Sequence, residues 1–260
     1  MRSKLLRRAH GRGAGISLAI GMFSLTALGS TSAPVAVTNH PRVPAGGAVR
    51  ELGWSSSNWS GYAITGSGFT AVTGHWTVPT VAKTTKATFS SNWVGIDGFN
   101  NSSLIQTGTE QDYYSGAAHY NAWWEILPAA ETRINSITVH PGDRMTASIT
   151  RGSTGKWTIT ISDSKGGSFT TQQSYSGART SAEWIEEAPS VNGRTATLAH
   201  YGSSTFDPGT VNGASPKLVP SDGGALVQGS TQVSTPSNPD SDADGFNIRY
   251  GSTAPSPPSS

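Results

Sequence analysis

Apolar residues recur at every second position over much of the chain. In KWTITISD, Trp157, Ile159 and Ile161 alternate with Thr158, Thr160 and Ser162, the period-two pattern of a strand buried on one side. HYNAWWEIL repeats it, with Tyr120, Ala122, Trp124 and Ile126 opposite Asn121, Trp123 and Glu125. ITVHPGDRMTASIT reads as two strands folded about Pro141-Gly142-Asp143, and SDSKGGSFTTQQSY as a hairpin about Gly166-Gly167. Strands at about ten-residue spacing, separated by turn signals, predict an all-β sandwich or barrel. No solenoid-length repeat and no heptad interrupts this pattern. Between roughly 207 and 243 the chain loosens into Pro, Gly, Ser and Asp, a long loop region with one apolar strand at Ala225-Leu226-Val227. GFNIRY, 245–250, reads as a last strand, and residues 251–260 as a disordered tail.

Composition agrees with many short strands, since only 13% of the 260 residues are charged while Gly, Ser and Thr are abundant. The first 33 residues have the layout of a secretory signal peptide, with five basic groups (Arg2, Lys4, Arg7, Arg8, Arg12) ahead of an apolar run from about Ala14 to Leu28. Residues 34–53, rich in Pro, Gly and Val without a period, read as a propeptide or linker, and 54–250 as one domain. The predicted location is therefore secreted and extracellular. Leader removal also changes the charge: 18 basic and 16 acidic groups become 13 and 16, so the basic balance belongs to the precursor and implies no nucleic-acid surface. The expected mature protein is a monomer that acts on neither nucleic acid nor membrane. Cysteine is absent, which excludes disulfides, thiol nucleophiles and Cys-based zinc sites.

Most hydrolase signatures are missing. There is no G-x-S-x-G elbow and no H-E-x-x-H helix motif. Asp97-Gly98 lacks the Asp-Thr/Ser-Gly form of an aspartic dyad, and His75, His119, His140 and His200 are not clustered as metal ligands. DSDADG, 240–245, imitates the opening of a calcium loop through Asp240, Asp242, Asp244 and Gly245, but position twelve would be Gly251 where a bidentate Glu is required. It reads first as a polar turn, so neither a metal nor any other cofactor is expected. The tryptophans are assigned mostly to packing, with two or three on a groove wall. In SAEWIEEAP, alternation sends Ser181, Glu183 and Ile185 to one face and Ala182, Trp184 and Glu186 to the other, while Glu187 reads as a surface residue.

Four segments in order carry a more specific signal: SNWVGIDG at 91–98, SLIQTGTE at 103–110, YNAWWEILP at 120–128 and SAEWIEE at 181–187. Together they resemble the glutamic peptidases, the eqolisin family of secreted acid endopeptidases, with SSNWSGYAITG and GHWTVP similar to that family's N-terminal strands. The resemblance covers about 55–206 well and is nearest to the bacterial branch. It implies Gln106 and Glu183 as the catalytic pair, with Trp93, Asp97, Trp123 and Glu125 lining or bracing the site. It also implies a concanavalin A-like or jelly-roll-like sandwich of two antiparallel sheets. Where fungal members carry an Asp after the glutamine motif this chain has Thr109-Glu110, and it lacks the cysteines many of them have.

The two residue types suit amide hydrolysis. A glutamate can draw a proton from water and return it to the departing amine, and a glutamine NH₂ can donate to the oxyanion without carrying charge. The function expected is a secreted, acid-active glutamic endopeptidase acting on protein or peptide substrates. A carbohydrate-active sandwich is the alternative, either a glycoside hydrolase pairing Glu183 with Glu125 or a non-catalytic binding module.

Overall fold

The computed structural model describes residues 37–46 and 51–260, so the leader lies outside the described residues. In chain order the strands are β1 (Val37–Thr38), β2 (Trp54–Ser56), β3 (Trp59–Thr65), β4 (Ala71–Thr77), β5 (Ser91–Ile96), β6 (Ile105–Tyr114), β7 (Ala117–Ile126), β8 (Thr132–Ile134) and β9 (Arg144–Arg151). They continue with β10 (Trp157–Asp163), β11 (Ser168–Gln173), β12 (Ser181–Glu187), β13 (Ser190–Val191), β14 (Arg194–Thr195), β15 (Ser203–Val211), β16 (Gly223–Gln228), β17 (Thr231–Pro236) and β18 (Phe246–Tyr250). One 3₁₀ turn, Pro220–Asp222, is the only helical element among the described residues.

One long ladder runs β11-β10-β9-β4-β15-β18-β17-β16-β3-β12-β5-β6-β7-β8, and every pair in it is antiparallel. The ladder doubles back on itself as a sandwich, because its two halves bury their apolar faces in one core. Val72, Trp76, Met145, Ile149, Ile159 and Phe206 come from one half; Tyr62, Val94, Ile105 and Trp184 come from the other. The expected all-β sandwich is therefore observed. In β10 the alternation is strict, with Trp157, Ile159 and Ile161 buried against half-exposed neighbours.

Two local readings fail. Residues 137–140 do not form the first arm of a hairpin, although Ile137 and Val139 are buried; β9 instead pairs with β4 and β10. The stretch read as loop contains the second half of β15 and all of β17, whose Thr, Gln and Ser residues carry little apolar signal. Residues 251–260 hold no strand, yet Asn247 Nδ2 donates to the Ser256 carbonyl at 2.9 Å.

The β3-β12-β5-β6-β7 half also carries apolar side chains on its other face. Trp59, Trp93, Leu104, Trp123 and Ile185 form a second buried cluster there, with Trp54, Phe99 and Leu127 at its margin. Trp59 and Trp93 meet edge-on at 4.8 Å and 76°, an arrangement that contributes about 1 kcal/mol beyond area burial. A sheet face that is both polar and fully buried marks the candidate site.

Candidate active site

Strand β12 is central, flanked by β3 and β5, and all seven of its residues are buried. Ala182 and Trp184 enter the main core, so period two sends Glu183, Ile185 and Glu187 to the opposite face, where Ile185 joins the second cluster. Register aligns a row on that face: Glu183 pairs with Gly95, Gly95 with Gln106, and Gln106 with Glu125. Glu183 and Gln106 are thus two strand spacings apart, roughly 10 Å between backbones, with a residue that has no side chain between them. A Cβ at Gly95 would lie 2.8 Å from Trp93 Cζ3 and 3.1 Å from Leu104 Cδ1, so glycine is what lets the indole edge settle over this part of the row.

Gln106 is oriented by Glu125, whose Oε2 accepts from Gln106 Nε2 at 2.7 Å. An amide nitrogen has two hydrogens, so one remains for another acceptor. Neither oxygen of Glu183 has a hydrogen-bond partner, and Gln106 Oε1, Glu125 Oε1 and Trp123 Nε1 are likewise buried and unpartnered. Trp93 Nε1 donates to Glu187 Oε2 at 2.9 Å. Asp97, in a left-handed backbone conformation after β5, accepts from Tyr175 Oη (2.6 Å), Arg179 N (2.8 Å), Thr180 N (2.8 Å) and Asn101 Nδ2 (2.9 Å). It pins the loop before β12 to the end of β5 and acts on Glu183 through its charge alone.

Burial dominates the electrostatics. Desolvation pushes Glu183 well above the usual carboxylate range, the nearby Ser181 hydroxyl, which falls short of hydrogen-bond geometry, offsets part of the rise, and the charge on Asp97 adds to it. Glu125 is pushed up to about 9, chiefly by burial, with the Gln106 hydrogen bond opposing. Burial likewise raises Glu110, Asp112, Glu131, Glu186 and Glu187. Asp97 goes the other way: burial would raise it, but the donors around it outweigh burial and hold it below its ordinary value.

A strap formed by residues 37–46 lies along this face. His40 N donates to Glu187 Oε1 at 3.0 Å, Asn39 Nδ2 to Glu110 Oε1 at 3.4 Å, and the His40 carbonyl accepts from Trp59 Nε1 at 2.9 Å. Farther along, Arg42 N donates to the Gly98 carbonyl at 3.0 Å, and its guanidinium sits 4.1 Å from the Phe99 ring centre. Beside the strap is a solvent-open depression of about 450 Å³, lined by Arg42, Pro44, Trp54, Ala63, Thr65 and Phe99. Ala63 is the register partner of Glu183, so the depression reaches the strand next to the row.

Of the residues named from sequence, Gln106, Glu183, Trp93, Trp123 and Glu125 share this face, whereas Asp97 lies at its end and braces it. Glu187 is not a surface residue: it is 0% exposed and bonded to Trp93, Asn58 and the strap. Sequence reasoning also missed Glu110 and Asp112, because a carboxylate on a strand ordinarily faces water, and Glu131, which lies in the connection between β7 and β8.

A family model described as the Peptidase A4 family matches residues 57–250. Among curated proteins, aspergillopepsin-2 of Aspergillus niger is 29% identical over 193 residues, covering 64% of this chain and 68% of its own length. Scytalidopepsin B of Scytalidium lignicola is 34% identical over 137 residues, and there the chain spans about half of the relative, 51%. Among solved structures, scytalido-glutamic peptidase with a transition-state analogue inhibitor matches at a TM-score of 0.64 and 26% identity, covering 75% of this chain and 98% of that one. Aspergilloglutamic peptidase from Aspergillus niger matches at 0.53 and 25%, covering 63% and 99%.

Proposed function

The chain belongs to the peptidase A4 family, hydrolases of peptide bonds, and from that premise we propose that it is a secreted, acid-active glutamic endopeptidase with Glu183 and Gln106 as its catalytic pair. The observation that carries this reading is the register row itself: an unpartnered carboxyl and an anchored amide on one face, separated by Gly95. Ionised Glu183 removes a proton from water as the water oxygen attacks the scissile carbonyl. The second Nε2 hydrogen of Gln106 donates to the resulting oxyanion. Collapse breaks the C–N bond, and Glu183 returns its proton to the leaving amine. Glu125 positions Gln106; Trp93 and Trp123 supply apolar walls for the substrate chain.

The strap belongs to this proposal as a propeptide segment. With the strap in place Glu183 is dry and keeps its proton, and a protonated carboxyl cannot act as base. Removing the strap opens the face to peptide and water, and water lowers the Glu183 pKa by relieving desolvation. The carbohydrate-active alternative loses support, because Gln106 is bonded to the carboxylate that a glycosidase would need facing Glu183.

The test is casein digestion across acidic pH by the full chain, by protein trimmed to begin at about Trp54, and by trimmed Glu183→Gln and Gln106→Ala. Cleavage by the trimmed wild type alone supports the proposal. Undiminished cleavage by either variant ends it, and equal activity of the untrimmed chain ends the role given to the strap.

A further inference from the structure

Away from the catalytic face, one carboxylate oxygen from each of Asp207, Asp240 and Asp244 lies within 4.8 Å of the other two. Asp240 and Asp244 belong to the DSDADG loop between β17 and β18. Asp207 belongs to β15, at an irregularity where its ladder with β4 shifts register between Phe206 and Gly209. The two segments are joined by Gly209 N donating to the Asp244 carbonyl at 2.8 Å. Asp240 is only 8% exposed; its Oδ1 accepts from Asp244 N and Gly245 N, each at 3.2 Å. Its Oδ2 has no partner, nor does Oδ1 of Asp244, and both atoms are sealed from solvent. A Cβ at Gly245 would fall 2.4 Å from Asp240 Oδ2 and 2.9 Å from Asp207 Cβ, so the glycine makes room for these carboxylates to face each other.

Like charges held this closely repel, and a buried carboxylate oxygen without a donor is costly. No lysine, arginine or histidine forms an ion pair with the trio among the described residues. A cation would satisfy the group.

We propose that Asp207, Asp240 and Asp244 form a calcium site that clips the β17–β18 loop to β15. The donors are all hard oxygens, and three carboxylates suit a divalent ion. Three carboxylate oxygens gathered within 4.8 Å of one another can share one ion, and calcium, which takes oxygen ligands at about 2.3–2.6 Å in flexible geometry, tolerates an irregular set drawn from two segments better than magnesium, which demands a near-ideal octahedron. The sequence objection was the missing glutamate at position twelve. Here the third carboxylate comes from another strand, at Asp207.

Terbium tests this directly, because a Cβ at Gly209 would lie 2.8 Å from Trp184 Nε1 and 3.2 Å from the Asp244 carbonyl, placing an indole donor beside the site. Chelator-treated protein titrated with Tb³⁺ under tryptophan excitation is expected to give saturable emission that excess Ca²⁺ displaces. At a hundredfold excess over Kd, Ca²⁺ is expected to raise Tm by roughly 5–10 °C. Asp240→Asn, which can keep the Oδ1 bonds, should lose both responses, and Asp207→Asn does so independently if the first variant folds poorly. Peptide hydrolysis at room temperature should be unchanged in Asp207→Asn. Absence of saturable emission from the wild type, or wild-type emission and Ca²⁺ response in the two variants, overturns the site. So does an Asp240→Asn protein that is simply more stable while calcium does nothing to the wild type, because the trio is then only a strained polar turn.

Discussion

Raising the pH from about 4 to 7 should destabilise this domain, because its fold keeps protons on carboxyls that the unfolded chain would release. Glu110, Asp112, Glu125, Glu131, Glu183, Glu186 and Glu187 are all raised, with burial as the first cause in each. Between the ordinary carboxylate values and these raised ones, the folded state binds more protons than the unfolded state, so stability falls as pH rises. Glu125 gives a magnitude: it titrates at about 9 in the fold against 4.5 ordinarily, which removes about 3 kcal/mol of stability by pH 7. Two such groups would remove a sum comparable to the whole stability of an average domain, about 5–15 kcal/mol. Asp97 and Asp143 are lowered and act oppositely: their stabilisation is present above 3.8 and is lost as pH falls below it. Maximum stability is therefore expected near pH 4. Thermal unfolding followed by circular dichroism should show Tm falling by at least roughly 6–12 °C from pH 4 to 7 for each group like Glu125. Glu125→Gln should flatten that fall. A Tm that is constant or rises over this interval would refute the argument from buried protonated carboxyls.

Other outcomes follow from single contacts. Glu183→Gln removes a buried carboxyl with no partner, so Tm at pH 7 should hold or rise while hydrolysis falls about 10²–10⁴-fold, read by calorimetry and peptide assay on the same sample. Gly95→Ala places a methyl 2.8 Å from the Trp93 ring and should cost about 1–3 kcal/mol, measured by urea unfolding, with activity lost through displacement of the indole. Asp97→Asn gives up the charge that gathers Tyr175, Arg179, Thr180 and Asn101, and should destabilise by about 2–4 kcal/mol at pH 5; a neutral effect in denaturant titration would contradict its bracing role.

The sandwich was legible wherever one face of a strand is wet. Residues 157–163 alternate because β10 has an apolar inner face and a half-exposed outer one. The same alternation placed Glu183 opposite Trp184, which holds. It could not reveal that β12 is buried on both faces, because three glutamates in seven residues look solvated until the strap and the aromatic cluster are assembled over them. Glu187 was misread for that reason. The strap itself has no period, as it is held by bonds such as His40 N to Glu187 rather than by a ladder along its length. Strand β17 was hidden because its Thr, Gln and Ser residues are pinned by pairing with β16 and β18 rather than by apolar burial. The site residues came from ordered motifs, whereas the row that unites them needs the register of four strands.

The pairing of Glu183 with Gln106 is tested most directly by kcat/KM at acidic pH for trimmed wild type, Glu183→Gln, Gln106→Ala and the double variant. If both act on one tetrahedral intermediate, each single change lowers kcat/KM by about 10²-fold or more, and the double variant falls far short of the product of the two losses. Retention of activity within tenfold by either single variant, or fully multiplicative losses, would contradict a shared site.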